Sequence, residues 1–204
     1  MHKKLAGITL LILALAVAVL APGASASPVL TNGGKAVPVG TQVTGKNLGT
    51  LKFTTPFLTE CTAFDFTFWV TSNSGTKLRL EAPLGSSSFS GTGAGGDCTS
   101  STGASNMAWN SKLCLEATSE DKIIATGCGA KSTFTTTITT GGFEVPCTYA
   151  ATSFTGTFLT NADATLSFTS QIFQQEGAFC YGTTTQLDLA FELTTTAGGT
   201  LVIS

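Results

Sequence analysis

Six cysteines, at positions 61, 98, 114, 128, 147 and 180, are the residues of this chain with the widest range of chemistry. A cysteine can act as nucleophile, metal ligand, lipid acceptor or half of a disulfide, and its surroundings decide which. For Cys61, in FLTECT at 57–62, the decision turns on the single histidine, His2. His2 opens a basic stretch, His2-Lys3-Lys4, followed by an apolar run from Leu5 to Ala21, then Pro22-Gly23 and Ala24-Ser25-Ala26. That is the layout of a secretory signal peptide with cleavage expected after Ala26. Cleavage removes the only imidazole, which excludes Ser-His-Asp and Cys-His mechanisms and any His-ligated zinc or copper site in the mature chain. An even number of cysteines in an exported chain argues for disulfides, and the absence of Cys-x-x-Cys argues against a redox motif or a zinc site. No cofactor and no metal are expected.

The pairing of the six is suggested by an internal echo. FLTECT at 57–62 recurs as FEVPCT at 143–148, with Phe57 and Phe143 at matching offsets before Cys61 and Cys147. An alternating stretch, a small-polar turn and a second strand follow each copy, in VTSNSGTKLRL at 70–80 and FLTNADATLSF at 158–168. Each copy then reaches a further cysteine at a similar separation, Cys98 and Cys180. A diverged duplication of one Cys-strand-turn-strand-Cys unit, over 57–98 and 143–180, accounts for this. It pairs Cys61 with Cys98 and Cys147 with Cys180, leaving Cys114 for Cys128.

Carboxylates are the remaining acid/base candidates: Glu60, Asp65, Asp97, Glu116 and Glu144. A glycosidase needs two of them about 5–10 Å apart across a cleft, and no spacing in the sequence demands that. No catalytic residue is therefore assigned. Trp69 and Trp109, with Tyr149 and Tyr181, are the candidates for a ligand-binding aromatic face. Asn161 with Asp163, or Asp97 in its glycine loop, lacks the repeated carboxylates of a calcium site. Thr133, Thr135, Thr137 and Thr139 place four hydroxyls on one strand face, without the fixed repeat of an ice-binding array.

The elements that must position these residues are strands. Leu187, Leu189, Phe191 and Leu193 alternate with Asp188, Ala190, Glu192 and Thr194; Leu78 and Leu80 alternate with Lys77, Arg79 and Glu81; Phe64, Phe66, Phe68 and Val70 share a face opposite Trp69. This period of two marks half-buried antiparallel strands. Turn signals at Ser72-Asn73-Ser74-Gly75, Asn161-Ala162-Asp163, Gly141-Gly142 and Gly198-Gly199 divide the chain into roughly ten short strands, an all-β antiparallel sandwich or barrel. Residues 27–47 are expected as an N-terminal arm or first strand and 48–204 as a single β domain. SGTGAGGDCT at 90–99 reads as a mobile loop tethered by Cys98, and Ala117 to Lys122 as room for a helical turn. No Lys/Arg cluster appears, so nucleic acid and anionic membranes are not expected partners, and Arg79 is the only arginine. No apolar span follows Ala26 to act as an anchor; the partner is left unassigned, with a glycan or another cell-surface ligand as the class considered.

The signal peptide, the six cysteines, SGTGAGGDCT, CLEATS at 114–119 and the ending of an alternating strand plus LVIS resemble uncharacterised exported proteins of high-GC Gram-positive bacteria. The resemblance implies a secreted, cysteine-stapled β protein and brings no activity with it. The expectation is a non-enzymatic extracellular binding or surface-structural module. A carbohydrate-binding module and a carboxylate-dependent glycan hydrolase are the alternatives.

Overall fold

The computed structural model describes residues 28–204 apart from 55–57, 76, 102, 118–120, 160–161, 178–179 and 181. The expected signal peptide and the residues Phe57, Asn161 and Tyr181 lie outside the described residues. The strands are β1 (Leu30–Asn32), β2 (Lys35–Ala36), β3 (Gln42–Asn47), β4 (Leu51–Thr54), β5 (Leu58–Cys61), β6 (Ala63–Asn73), β7 (Leu78–Ala82), β8 (Ser87–Ser90), β9 (Cys98–Ser100) and β10 (Gly103–Trp109). They continue as β11 (Leu113–Ala117), β12 (Lys122–Thr126), β13 (Ser132–Thr140), β14 (Phe143–Ala151), β15 (Ser153–Phe158), β16 (Ala162–Asp163), β17 (Thr165–Glu176), β18 (Thr184–Thr195) and β19 (Val202–Ile203). All pairings among them are antiparallel, as the alternating pattern requires.

The ladder closes on itself twice. One circuit runs β3, β6, β7, β11, β12, β15, β17, β18 and back to β3. The other runs β18, β4, β5, β9, β10, β13, β14, β17 and back to β18. Both use the long β17–β18 pair, whose halves belong to different circuits. Closure removes most of the exposed edges along which sheets aggregate, and β8, bonded to β6 alone, is left as an edge strand. More and shorter strands occur than the turn signals predict, because the chain breaks where it changes ladder partners: between β3 and β4, β5 and β6, and β14 and β15. In β17 the change is made by a register shift between Phe168 and Gln171. Ser170 there takes φ 56°, and its N–H is accepted by Asp188 Oδ1 at 2.5 Å, which satisfies the donor that the shift frees.

The interior is filled rather than hollow. Phe66, Phe68, Phe134, Phe168, Phe173 and Phe191 are fully buried; Phe66, Phe68, Phe191 and Phe168 touch ring to ring, as do Phe134 and Phe173, and Phe154 links the two groups.

The expected arm or first strand is strand from Leu30 onward. Val29 and Ser204 exchange backbone hydrogen bonds at 2.7 and 2.9 Å, so the two ends of the described chain close a small sheet ordered β16-β19-β1-β2. Asn73 holds this segment to β6, donating to Leu30 O and Val37 O and accepting from Leu30 N.

The glycine loop at 90–99 is folded on itself rather than loose. Gly91 N donates to Gly96 O and Gly93 N to Asp97 O, both at 2.9 Å. A Cβ at Gly91 or Gly93 would fall within 2.8 Å of the Asp97–Cys98 backbone, so the glycines are there for tight approach. Ala117 ends β11 and Lys122 begins β12; the centre of the expected helical turn lies outside the described residues.

Three disulfides staple the fold: Cys61–Cys98, Cys114–Cys128 and Cys147–Cys180, with Cα separations of 4.5, 5.0 and 5.4 Å. These are the pairs that the sequence echo suggests. The two segments of the expected duplication differ in pairing: Cys61 and Cys98 lie on strands bonded to each other, whereas Cys180 lies past the end of β17, the partner of the Cys147 strand.

Candidate functional site

The outer faces of β7, β11 and β12 carry the functional candidates that the fold brings together. Strand alternation points Leu78, Leu80, Leu113, Leu115, Ile123 and Ala125 inward, which turns Arg79, Glu81, Cys114, Glu116, Ile124 and Thr126 outward. The turn after β12 then folds back over this face. Gly127 and Ala130 exchange backbone hydrogen bonds, Cys128 stands at φ 58°, and its bridge to Cys114 pins the turn to the sheet. The result is a cleft of about 450 Å3 lined by Arg79, Cys114, Glu116, Ile124, Thr126, Cys128 and Gly129.

Charge within the cleft is unevenly satisfied. Glu116 lies opposite Arg79 across β7–β11, yet its carboxylate pairs with Lys77 at 2.8 Å. Glu81, diagonal to Glu116, pairs with Lys112 at 3.2 Å. Arg79 donates to the Cys114 sulfur at 3.2 Å, a weak acceptor for one of five N–H groups. Glu81, Cys114 and Cys128 bring ligand-type atoms within 4.8 Å of one another. Both sulfurs belong to a disulfide and offer no thiolate, so this donor set does not suit a metal.

Trp69 stands beside this cleft. It is opposite Glu81, which is opposite Cys114, which is opposite Thr126, so one cross-strand row runs from the indole to the cleft. At about 4.8 Å per strand, Trp69 is roughly 10 Å from Cys114 along the row. Its side chain is 41% exposed on the face opposite Phe68 and Val70, as the alternation in TAFDFTFWV requires.

No protein-family model, curated protein or solved structure matches this chain. The site therefore has to be interpreted from its own geometry.

Trp109 is a correction to the sequence reading. It is 5% exposed and packs against Phe66, Phe134, Phe154 and Phe173 in the core, so it cannot serve as a binding aromatic. GASNMAWN gives no alternation to place it, and the apolar area of an indole outweighs the cost of a buried N–H that finds no acceptor among the described residues. Tyr149 is likewise core, its ring centroid 5.5 Å from that of Phe134, and burial raises its hydroxyl pKa.

The acidic candidates do not converge. Glu60 pairs with Lys52 at 3.1 Å, Asp65 accepts from the Ser88 hydroxyl, Asp97 closes the glycine loop, and Glu144 is exposed beside the β13–β14 turn. Of these candidates only Glu116 lines the cleft; Glu81, which the spacing of acids did not single out, stands next to it with its carboxylate near the Cys114–Cys128 sulfurs. Among the described residues no charged side chain is buried, so the desolvated acid that glycoside hydrolysis uses is not seen there. Asp163 lies exposed in β16. Thr133, Thr135, Thr137 and Thr139 share the outer face of β13, where Thr135 is engaged by Asn110 and Thr148.

Proposed function

We propose that the protein is a secreted, non-enzymatic binding module whose ligand, a glycan or other cell-surface polymer, sits on the outer face of β6, β7, β11 and β12. The observation that carries this reading is the exposed Trp69 in one cross-strand row with the walled cleft. An indole on a rigid sheet offers apolar area for the face of a sugar ring at little entropic cost, and neighbouring polar side chains orient the hydroxyls. Export is supported by the signal-like leader and by three disulfides, which persist in oxidising compartments.

The test is a glycan array probed with the protein and with Trp69→Ala. The expected result is selective binding that falls about tenfold or more in the variant, the scale of losing an aromatic contact. Undiminished binding by Trp69→Ala, or no binding to any saccharide, would contradict the proposal. The hydrolase alternative predicts release of reducing ends from a bound polysaccharide, abolished by Glu116→Gln.

A further inference from the structure

We infer that the cleft accepts the anionic group of an acidic saccharide, held by the Arg79 guanidinium while Trp69 supports the sugar ring. This rests on the binding-module reading above and adds the chemical class of the ligand. Arg79 is the only arginine in the chain, and it projects from a strand bonded on both sides, into the cleft rather than into open solvent. A guanidinium presents a planar fork of donors that matches a carboxylate or a phosphate in a bidentate pair.

In this fold the fork is not used that way. The two carboxylates on its face are matched by Lys77 and Lys112, and among the described residues the Arg79 guanidinium is left with the Cys114 sulfur. A disulfide sulfur is a weak acceptor and carries no charge, so the guanidinium keeps both its charge and most of its donors for an incoming oxyanion.

The walls strengthen such a contact. Ile124 and the Cys114–Cys128 bridge are apolar, and an ion pair beside low-dielectric walls is stronger than one in open water. The bridge also fixes the turn that forms the wall, so little ordering is required on binding. A cleft of about 450 Å3 falls within the range of small-ligand sites, enough for one sugar unit rather than a folded partner. Trp69 lies on the next strand, two residues along from Arg79 in register, which sets ring and charge side by side on one face.

The experiment measures binding of trigalacturonate, of its fully methyl-esterified form and of a phosphate-bearing oligosaccharide to the intact protein, to Arg79→Gln and to Trp69→Ala. The expected result is that an acidic form binds about tenfold or more tightly than the neutral ester, as a charge-assisted bidentate contact implies. That preference should weaken with added salt and disappear in Arg79→Gln, which keeps the residual affinity for the ester. Trp69→Ala should weaken acid and ester together and keep the preference. Comparing the carboxylate and phosphate arms identifies which oxyanion is held. Binding of both the acid and the phosphate-bearing oligosaccharide no tighter than that of the ester, or a preference that survives in Arg79→Gln, overturns the anion assignment and leaves the binding module standing. No binding of any of the three overturns both.

Discussion

Replacing Cys61 and Cys98 together by alanine is expected to lower the midpoint of thermal unfolding by roughly 10 °C. The two cysteines are 37 residues apart in the chain, and closing a loop of that length removes about 4 kcal/mol of entropy from the unfolded state. For a domain of this size each kcal/mol moves the midpoint by about 2–4 °C. The bridge is also among the most buried parts of the fold, with Cys61 at 0% and Cys98 at 2% exposure, so no solvent can fill the place of the lost sulfurs. It joins β5 to β9, two short strands with few ladder bonds of their own, and without it the second circuit depends on those bonds alone. The matched change at Cys114 and Cys128, 14 residues apart, is expected to cost about 3 kcal/mol and to open the cleft wall as well. Calorimetry of the two double variants checks this. A change below about 2 °C for Cys61 and Cys98 would mean that the first bridge does not hold the barrel together.

The second large effect is expected where Phe191 meets Gly45. Phe191 is the hub of the aromatic interior, within 5.8 to 6.4 Å, centroid to centroid, of Phe64, Phe66, Phe68 and Phe168. Phe191→Ala should cost about 3–5 kcal/mol, since its neighbours belong to several strands and cannot collapse together into the gap. Gly45, on the adjacent β3, has no side chain because a Cβ there would lie 2.7 Å from Phe191 Cδ2 and 3.1 Å from Phe68 Cε2. Gly45→Ala should therefore cost about 1–3 kcal/mol by overpacking. Combining Gly45→Ala with Phe191→Leu should cost clearly less than the two changes summed, because the smaller side chain makes room for the added methyl. Urea unfolding of the three variants measures the coupling. Strict additivity would show that the two positions do not compete for the same space.

These effects also mark what the sequence carried and what it did not. Leu187, Leu189, Phe191 and Leu193 were legible as one buried face because alternation is local, and the same holds for Phe64, Phe66, Phe68 and Val70. Closure was not legible. It depends on β3 meeting β6 and on β17 meeting β18, and a period of two says which face is buried without saying which strand lies alongside. The disulfides were accessible through the FLTECT and FEVPCT echo, since each long-range bridge leaves two residue names at a repeated separation. Trp109, a candidate for the binding face, lies in the core instead, and GASNMAWN carries no alternation that assigns its face. Arg79 stood out as a lone arginine on an exposed strand face. The cleft around it did not, because that cleft exists only when the turn carrying Cys128 folds back and is pinned to Cys114.

The central claim is that the ligand occupies the outer face of β6, β7, β11 and β12. Amide hydrogen exchange of the intact protein, with and without the acidic saccharide that binds it most tightly, tests this directly. The account predicts slowed exchange concentrated in 69–71, 79–81, 114–116 and 126–129, with the remainder unchanged. Protection confined to the exposed tip at Phe143 and the threonine face of β13, with none around Arg79, would contradict it.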